Sequence, residues 1–123
     1  MQFKDVRVQK NMETKLWITL KAAMRADGWY VKKMHGSKFQ SGLPDVLAGH
    51  IKHGTVFIEL KIPPNTLSLR QQAEFRRMAQ GGIRVYLIKS IEDYRSGVLL
   101  RAPNWTTSAL FRKRQNIVPS GFF

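Results

Sequence analysis

Residues 42–61 read GLPDVLAGHIKHGTVFIELK. Two stretches suited to a pleated sheet, Asp45 to His50 and Thr55 to Lys61, flank a short break about Ile51 to Gly54, and together they predict a β-hairpin. Thr55, Val56, Phe57 and Ile58 are apolar or threonine on both faces, so the second strand should be covered above and below. Pro63 and Pro64 end it, because proline cannot donate to a strand ladder. Upstream, Trp29 to Met34 (WYVKKM) reads as another strand, joined to the hairpin by a loop, HGSKFQSGLP, over 35–44.

Helices bracket these strands. Asn11 is a good N-cap, and the helix it opens should run to a stop at Gly28, with Leu16, Trp17, Leu20, Ala23 and Met24 on its inner face. The first ten residues read as a basic arm or short strand. Downstream, Ser68 and Gln71 have capping-box spacing at the head of a helix reaching Gln80, with Phe75, Met78 and Ala79 inward. Gly81-Gly82 stops that helix, and Ile83 to Ile88 predicts a strand reached by a right-handed crossover and lying parallel to its neighbour. Ser90 should cap a short helical turn through Tyr94, and Trp105 to Gln115 predicts a last helix ending in Arg112-Lys113-Arg114. The order is helix, three strands, helix, strand: a single α/β domain with a mixed sheet flanked by helices. Its parts are an arm at 1–10, a core at 11–97 and a basic C-terminal extension of the same domain at 98–123.

One domain suits 123 residues, and a composition 43% hydrophobic and 24% charged is that of a globular chain rather than a disordered one. The charge balance is unusual. Twenty-one Lys and Arg against eight Asp and Glu leave +13, which points to a polyanionic partner. No run approaches the roughly 18 apolar residues of a membrane span, and the basic residues are spread along the chain rather than massed on one amphipathic helix. Nucleic acid is therefore favoured over a membrane. The absence of cysteine excludes a disulfide scaffold and thiolate metal sites. MQFKD at the N-terminus lacks the apolar stretch of a secretory signal, so the expected location is the cytoplasm and not the outside of the cell.

Several polar residues sit where apolar ones belong. Glu59 and Lys61 are two apart on a strand, hence on one face, and close an otherwise apolar run at the strand end where ligands gather in open sheets. An acid there must be paired, hydrogen-bonded or metal-bound to offset its desolvation. A strand emerging into water with Glu59 paired to Lys61 accounts for those two residues equally well. Asp45 opens the preceding strand and should come opposite residues 59–61, although a one-residue slip would turn it to the other face; alternatively it is a turn residue after Pro44. Two carboxylates brought together repel unless a cation sits between them, and a hard divalent ion such as Mg²⁺ suits that oxygen-rich arrangement. Glu13 continues the stripe of Leu16, Trp17 and Leu20 at its N-terminal end, where the helix dipole also favours an acid. Gln71 lies one turn before Phe75, and capping explains it on its own. His50 and His53 flank the hairpin turn without further clustered ligands, a poor zinc site.

Gly42-Leu43-Pro44-Asp45, Glu59-Leu60-Lys61 and Leu67-Ser68-Leu69-Arg70-Gln71 together resemble the motifs of the PD-(D/E)XK nuclease superfamily, and within it the small stand-alone VRR-NUC (virus-type replication-repair nuclease) domain found in phages. The likeness covers about residues 11 to 90 and includes the helical Glu13. It implies a restriction-endonuclease-like α-β-β-β-α-β core and a Mg²⁺-dependent endonuclease, with Mn²⁺ substituting. Asp45 and Glu59 would hold the metal, helped by the Leu60 backbone carbonyl and Glu13; Lys61 would orient or activate the attacking water, and Gln71 would line the site. It further implies a homodimer acting on branched DNA such as Holliday junctions or flaps, in the host cytoplasm if phage-encoded. Ile62-Pro63-Pro64-Asn65 departs from the pattern as a stiff connection after the lysine.

The chemistry agrees with the residue types, since phosphodiester hydrolysis needs an activated water and neutralisation of transition-state charge. DNA contacts would come from Lys32, Lys33 and Lys38 before the site, Arg70, Arg76 and Arg77 beside it, and Arg112, Lys113 and Arg114 beyond it, reading backbone and shape rather than bases. Two other readings share the fold: a non-catalytic basic DNA-binding protein, and a site-specific nuclease of restriction or homing type.

Overall fold

The computed structural model describes residues 3–34 and 42–106. Helix α1 spans Phe3–Ala26, eight residues earlier than the cap expected at Asn11, so from Phe3 onward the expected arm or short strand is instead the opening turns of a helix. Nothing between 3 and 26 is Gly or Pro, and an asparagine inside a helix costs only about 0.7 kcal/mol. A cap preference alone is too weak to stop a helix that has no breaker. The other end is as expected. Gly28 takes a φ of 91°, and the Trp29 N–H donates back to the Met24 carbonyl at 2.9 Å, a turn that glycine adopts without strain.

The sheet has the order β1-β2-β3-β4, with β1 Tyr30–Lys33, β2 Val46–His50, β3 Gly54–Leu60 and β4 Val85–Ile88. The first two pairings are antiparallel and β3–β4 is parallel, the mixed sheet that the chain order called for. Helix α2, Leu69–Gln80, supplies the crossover between the parallel strands. The expected capping box at its head is formed: the Ser68 side chain accepts from the Gln71 N–H at 3.1 Å and the Ser68 N–H donates to Gln71 Oε1 at 3.0 Å.

Strand alternation divides the core into two layers. Val56, Ile58 and Leu60 of β3, with Val46, Ala48 and Ile88, pack against Leu16, Leu20 and Met24 of α1. On the opposite face, Phe75 and Met78 of α2 cluster with Val85 and Trp105, and Phe57, Leu43 and Leu87 pack against them. β3 therefore emerges between two helical layers, with Glu59 on the α2 side. A short helix α3, Ile91–Arg95, follows β4 with Ser90 as its cap, and the Tyr94 hydroxyl donates to Asp27 Oδ2 at 2.5 Å, tying α3 to the end of α1.

Residues after α3 close one edge of the sheet. Val98 and Leu99 join the α1-side core. The Asn104 side chain imitates a neighbouring strand: its Oδ1 accepts from the Leu87 N–H at 2.8 Å and its Nδ2 donates to the Leu87 carbonyl at 2.7 Å. Asn104–Thr106 forms a 3₁₀ turn; the rest of the helix expected over 105–115 lies outside the described residues. Phe75 is fully buried while Ile18 is 57% exposed. Phe75→Ala should therefore cost about 3–5 kcal/mol in urea unfolding, against roughly 0.5 kcal/mol or less for Ile18→Ala.

Candidate active site

The hairpin register decides which acids meet. Val46 pairs with Ile58 across β2 and β3, so Asp45, one residue earlier, falls opposite Glu59. Asp45 is held from both sides. Its carbonyl accepts from the Met34 N–H at 2.6 Å, and its Oδ2 accepts from the Leu60 N–H at 3.1 Å. Gly42, three residues before it, has a φ of 90°. A β-carbon there would lie 3.3 Å from Arg70 Cγ and 3.4 Å from both the Arg70 carbonyl oxygen and Glu74 Cβ. Glycine thus lets the chain pass tight against α2 on its way into β2.

Glu59 is the only charged residue in the buried class among the described residues, at 3% exposure. Gln71 Nε2 donates to its Oε2 at 3.0 Å, and Lys61 Nζ lies 3.7 Å from the same oxygen. Oε1 is buried with no hydrogen-bond partner. Burial, and then the neighbouring charge of Asp45, push the Glu59 carboxyl up to about 8, while the Lys61 ammonium and the Gln71 amide pull the other way. The register thus sets two carboxyls opposite each other, a pairing that a proton or a cation relieves.

Gln71 does two jobs at once. Its Oε1 completes the capping box while its Nε2 reaches Glu59, so capping and site-lining are not alternatives. Ser68, which the sequence offered only as a cap, is the residue that fixes the Gln71 side chain in position. Glu13 stands apart. It is half-buried on α1, the helix that packs on the other face of the sheet. Among the described residues no three His, Cys, Asp or Glu side chains are grouped closely enough to share an ion.

The chemistry of the pair nonetheless suits a divalent ion. Glu59 has an unsatisfied buried carboxylate oxygen, the register sets Asp45 opposite it, and all the donors are hard oxygens. Mg²⁺ takes one or two carboxylates and keeps several waters, so two acids and a nearby carbonyl such as that of Leu60 are a sufficient protein share.

The cations expected to flank the site are distributed unevenly. Lys32 is exposed and Lys33 half-buried on β1. Arg70 stands at the head of α2 against Gly42, Arg76 is half-buried, and Arg77 is engaged with Glu74 at 2.8 Å. Lys38, Arg112, Lys113 and Arg114 lie outside the described residues. Lys21 and Arg25, which line a groove with Trp17, Lys32 and Lys33, were not singled out from the sequence, and Trp17 only as a core residue, although their i, i+4 spacing on α1 was the available signal. His50 and His53 do not make a metal site. His50 Nε2 contacts the Asp27 carbonyl at 3.0 Å while its Nδ1 accepts from the Lys52 N–H, and both rings pack on Trp29.

With this geometry in view, comparison with solved structures finds a chain described as a VRR_NUC domain, with a TM-score of 0.62 at 23% identity, covering 70% of this chain and 92% of that one. No family model matches the sequence, and no curated protein does. The chain therefore has the VRR_NUC-domain fold, a restriction-endonuclease-like α/β domain, as the motifs implied.

Because the folded state raises Glu59 from 4.5 to about 8, its protonation contributes stability that is fully present below about pH 4.5 and is lost as pH rises toward 8. In EDTA, urea unfolding between pH 5.5 and 8.5 should show wild type losing stability relative to Glu59→Gln, by up to about 1.4 kcal/mol per pH unit. A constant difference between the two would contradict this assignment.

Proposed function

We propose that this chain is a VRR-NUC member of the PD-(D/E)XK superfamily and a metal-dependent endonuclease that hydrolyses DNA phosphodiester bonds. The observation that carries the reading is Glu59: a buried carboxylate with one unsatisfied oxygen, facing Asp45 and flanked by Lys61 and Gln71. An acid kept at that cost, with an ammonium beside it, suits a site that receives a cation and then a phosphate.

Asp45 and Glu59 would hold Mg²⁺ or Mn²⁺, with the Leu60 carbonyl as a third ligand. When bound, such an ion supplies Lewis acidity and lowers the pKa of water. The protein does the rest. Lys61 sits at the strand end with its ammonium 3.7 Å from Glu59 and about one-fifth of its side chain exposed, so it can hold the attacking water and offset negative charge developing on the phosphate. The Gln71 amide keeps Glu59 oriented, its own position set by Ser68. Glu13 belongs to this scheme only if substrate or metal draws it toward the pair.

The same reading places the substrate among branched DNAs, such as Holliday junctions or flaps, with a homodimer as the working form and the cytoplasm as its place of action. The charge of +13 supports a polyanionic substrate; among the described residues no helix is long and apolar enough to cross a membrane. If roughly six phosphates are neutralised, affinity should fall with a log–log salt slope of about −5.

A panel of four-way, flapped, splayed and linear DNAs with Mg²⁺ tests the activity. Wild type should cut at least one branched form. Asp45→Ala should abolish cutting while binding in Ca²⁺ persists, and Lys61→Ala should slow it by on the order of 10²–10³. Wild type that binds these DNAs but cuts none would leave a DNA-binding protein on a nuclease fold, and discrete bands from a plasmid at low enzyme would indicate a site-specific enzyme. Occupancy has its own readout: Mn²⁺ should raise the melting temperature of wild type more than that of Glu59→Gln, and more at pH 8 than at pH 6, because protons and metal compete for the same oxygens.

A further inference from the structure

Strand β1 is the outermost strand at one side of the sheet, whereas the opposite side is closed by Asn104. Around β1 and the adjoining face of α1 lies a groove of about 390 Å³ lined by Trp17, Lys21, Arg25, Tyr30, Val31, Lys32 and Lys33. Its lining holds four cations and no acid, and none of the four makes an ion pair among the described residues. Lys21 and Lys33 stand 5.6 and 6.0 Å from the centre of the Trp17 ring, so the indole face gathers two ammonium groups that would otherwise repel one another. Tyr30 and Lys32 alternate with Val31 and Lys33 along β1, so they stand on its other face at the rim of the groove, where Tyr30 is 60% exposed.

Cations interleaved with an open aromatic ring are what a single nucleic-acid strand requires: charges to follow the phosphates and a face on which an unpaired base can stack. A duplex would use the charges and leave the ring idle. A second copy of this chain is a poor occupant, because edge-to-edge pairing would set like charges against each other. One end of β1 leads toward the strand that carries Asp45, although α1 lies on the opposite face of the sheet from Gln71. Lys33 pairs with Val46, next to Asp45, and the Met34 N–H donates to the Asp45 carbonyl.

We infer that the β1–α1 groove binds a single-stranded DNA segment, with phosphates on Lys21, Arg25, Lys32 and Lys33 and an unpaired base on Tyr30. This deepens the nuclease reading and rests on it only for the identity of the nucleic acid; among the branched forms it selects those with an unpaired arm and names the residues that hold it. Tyr30 and Lys32 are both exposed, so replacing them leaves the core intact, which an unchanged melting temperature would verify.

The test uses the full chain in EDTA, with a labelled oligothymidylate of about 10 nucleotides and a duplex of equal length. Tyr30→Ala should weaken oligothymidylate binding about tenfold and duplex binding less than twofold, while Tyr30→Phe should bind like wild type. Lys32→Ala should weaken both and lower the salt slope by about one. Lys52→Ala, on the exposed hairpin turn, should change neither. Unchanged oligothymidylate binding by Tyr30→Ala, or an equal loss for both DNAs, would overturn the inference. Because no metal or cleavage is involved, the outcome is independent of the nuclease assay: cutting without a Tyr30 effect sinks the groove alone, and a Tyr30 effect without cutting sinks the active site alone.

Discussion

Burying Glu59 opposite Asp45 is the constraint around which the rest of this molecule is arranged. Strand β3 is covered by α1 on one face and by the α2 cluster on the other, and such a strand could end in another apolar residue at no electrostatic cost. Its penultimate residue is instead a carboxylate that burial and a second carboxylate both disfavour, held up to about 8. The neighbours answer only part of that cost. Gln71 donates one hydrogen bond and Lys61 contributes one partly screened charge, while Oε1 has neither. A stability-driven sequence would fill or neutralise this place; an incomplete set of partners fits a site whose last partner arrives from solution.

Precision in this site comes from backbone more than from side-chain packing. The Asp45 carboxylate is fixed by the Leu60 N–H and its main chain by the Met34 N–H, so strands on both sides of β2 position the same residue. Gln71 is fixed by the cap of its own helix. The helix start that orders α2 therefore also aims an amide at Glu59, and capping, worth about 1 kcal/mol to the helix, becomes part of the site. The same economy appears at Gly42, where a close approach of the loop to α2 brings the start of β2 into line with the end of β3.

Much of this was legible because strand periodicity and turn residues are local. The hairpin follows from alternation between Asp45 and Lys61, and Asp45 was expected opposite residues 59–61; the observed turn is 51–53, one residue shorter than the expected 51–54, because Gly54 pairs with His50, and this sets Asp45 opposite Glu59. Three features were not legible, for different reasons. The start of α1 depends on the absence of a breaker, and Asn11 is a plausible cap that the surrounding helix simply overrides. The double use of Gln71 depends on the distance between two elements, which spacing within one motif does not contain. The placement of Glu13 depends on sheet layering: its helical stripe signals burial correctly, but α1 packs on the side of the sheet away from Phe57 and Gln71.

The excess positive charge divides into portions that do different work. Arg77 is neutralised by Glu74, and Lys61 is committed to Glu59. The cations around β1 have no such partners among the described residues, and they occupy the one sheet edge that no other described segment covers. An uncovered edge strand invites pairing with other chains, and lysines along it are a common defence. Here the defence and the attraction have the same source. Like charges keep a second protein strand away while drawing in a polyanion, and the indole of Trp17 lets two of them stand close together without an acid between. A carboxylate placed there would have secured the same lysines and cancelled the field. Using an aromatic ring instead keeps the groove positive as far as Lys33, the last residue of β1.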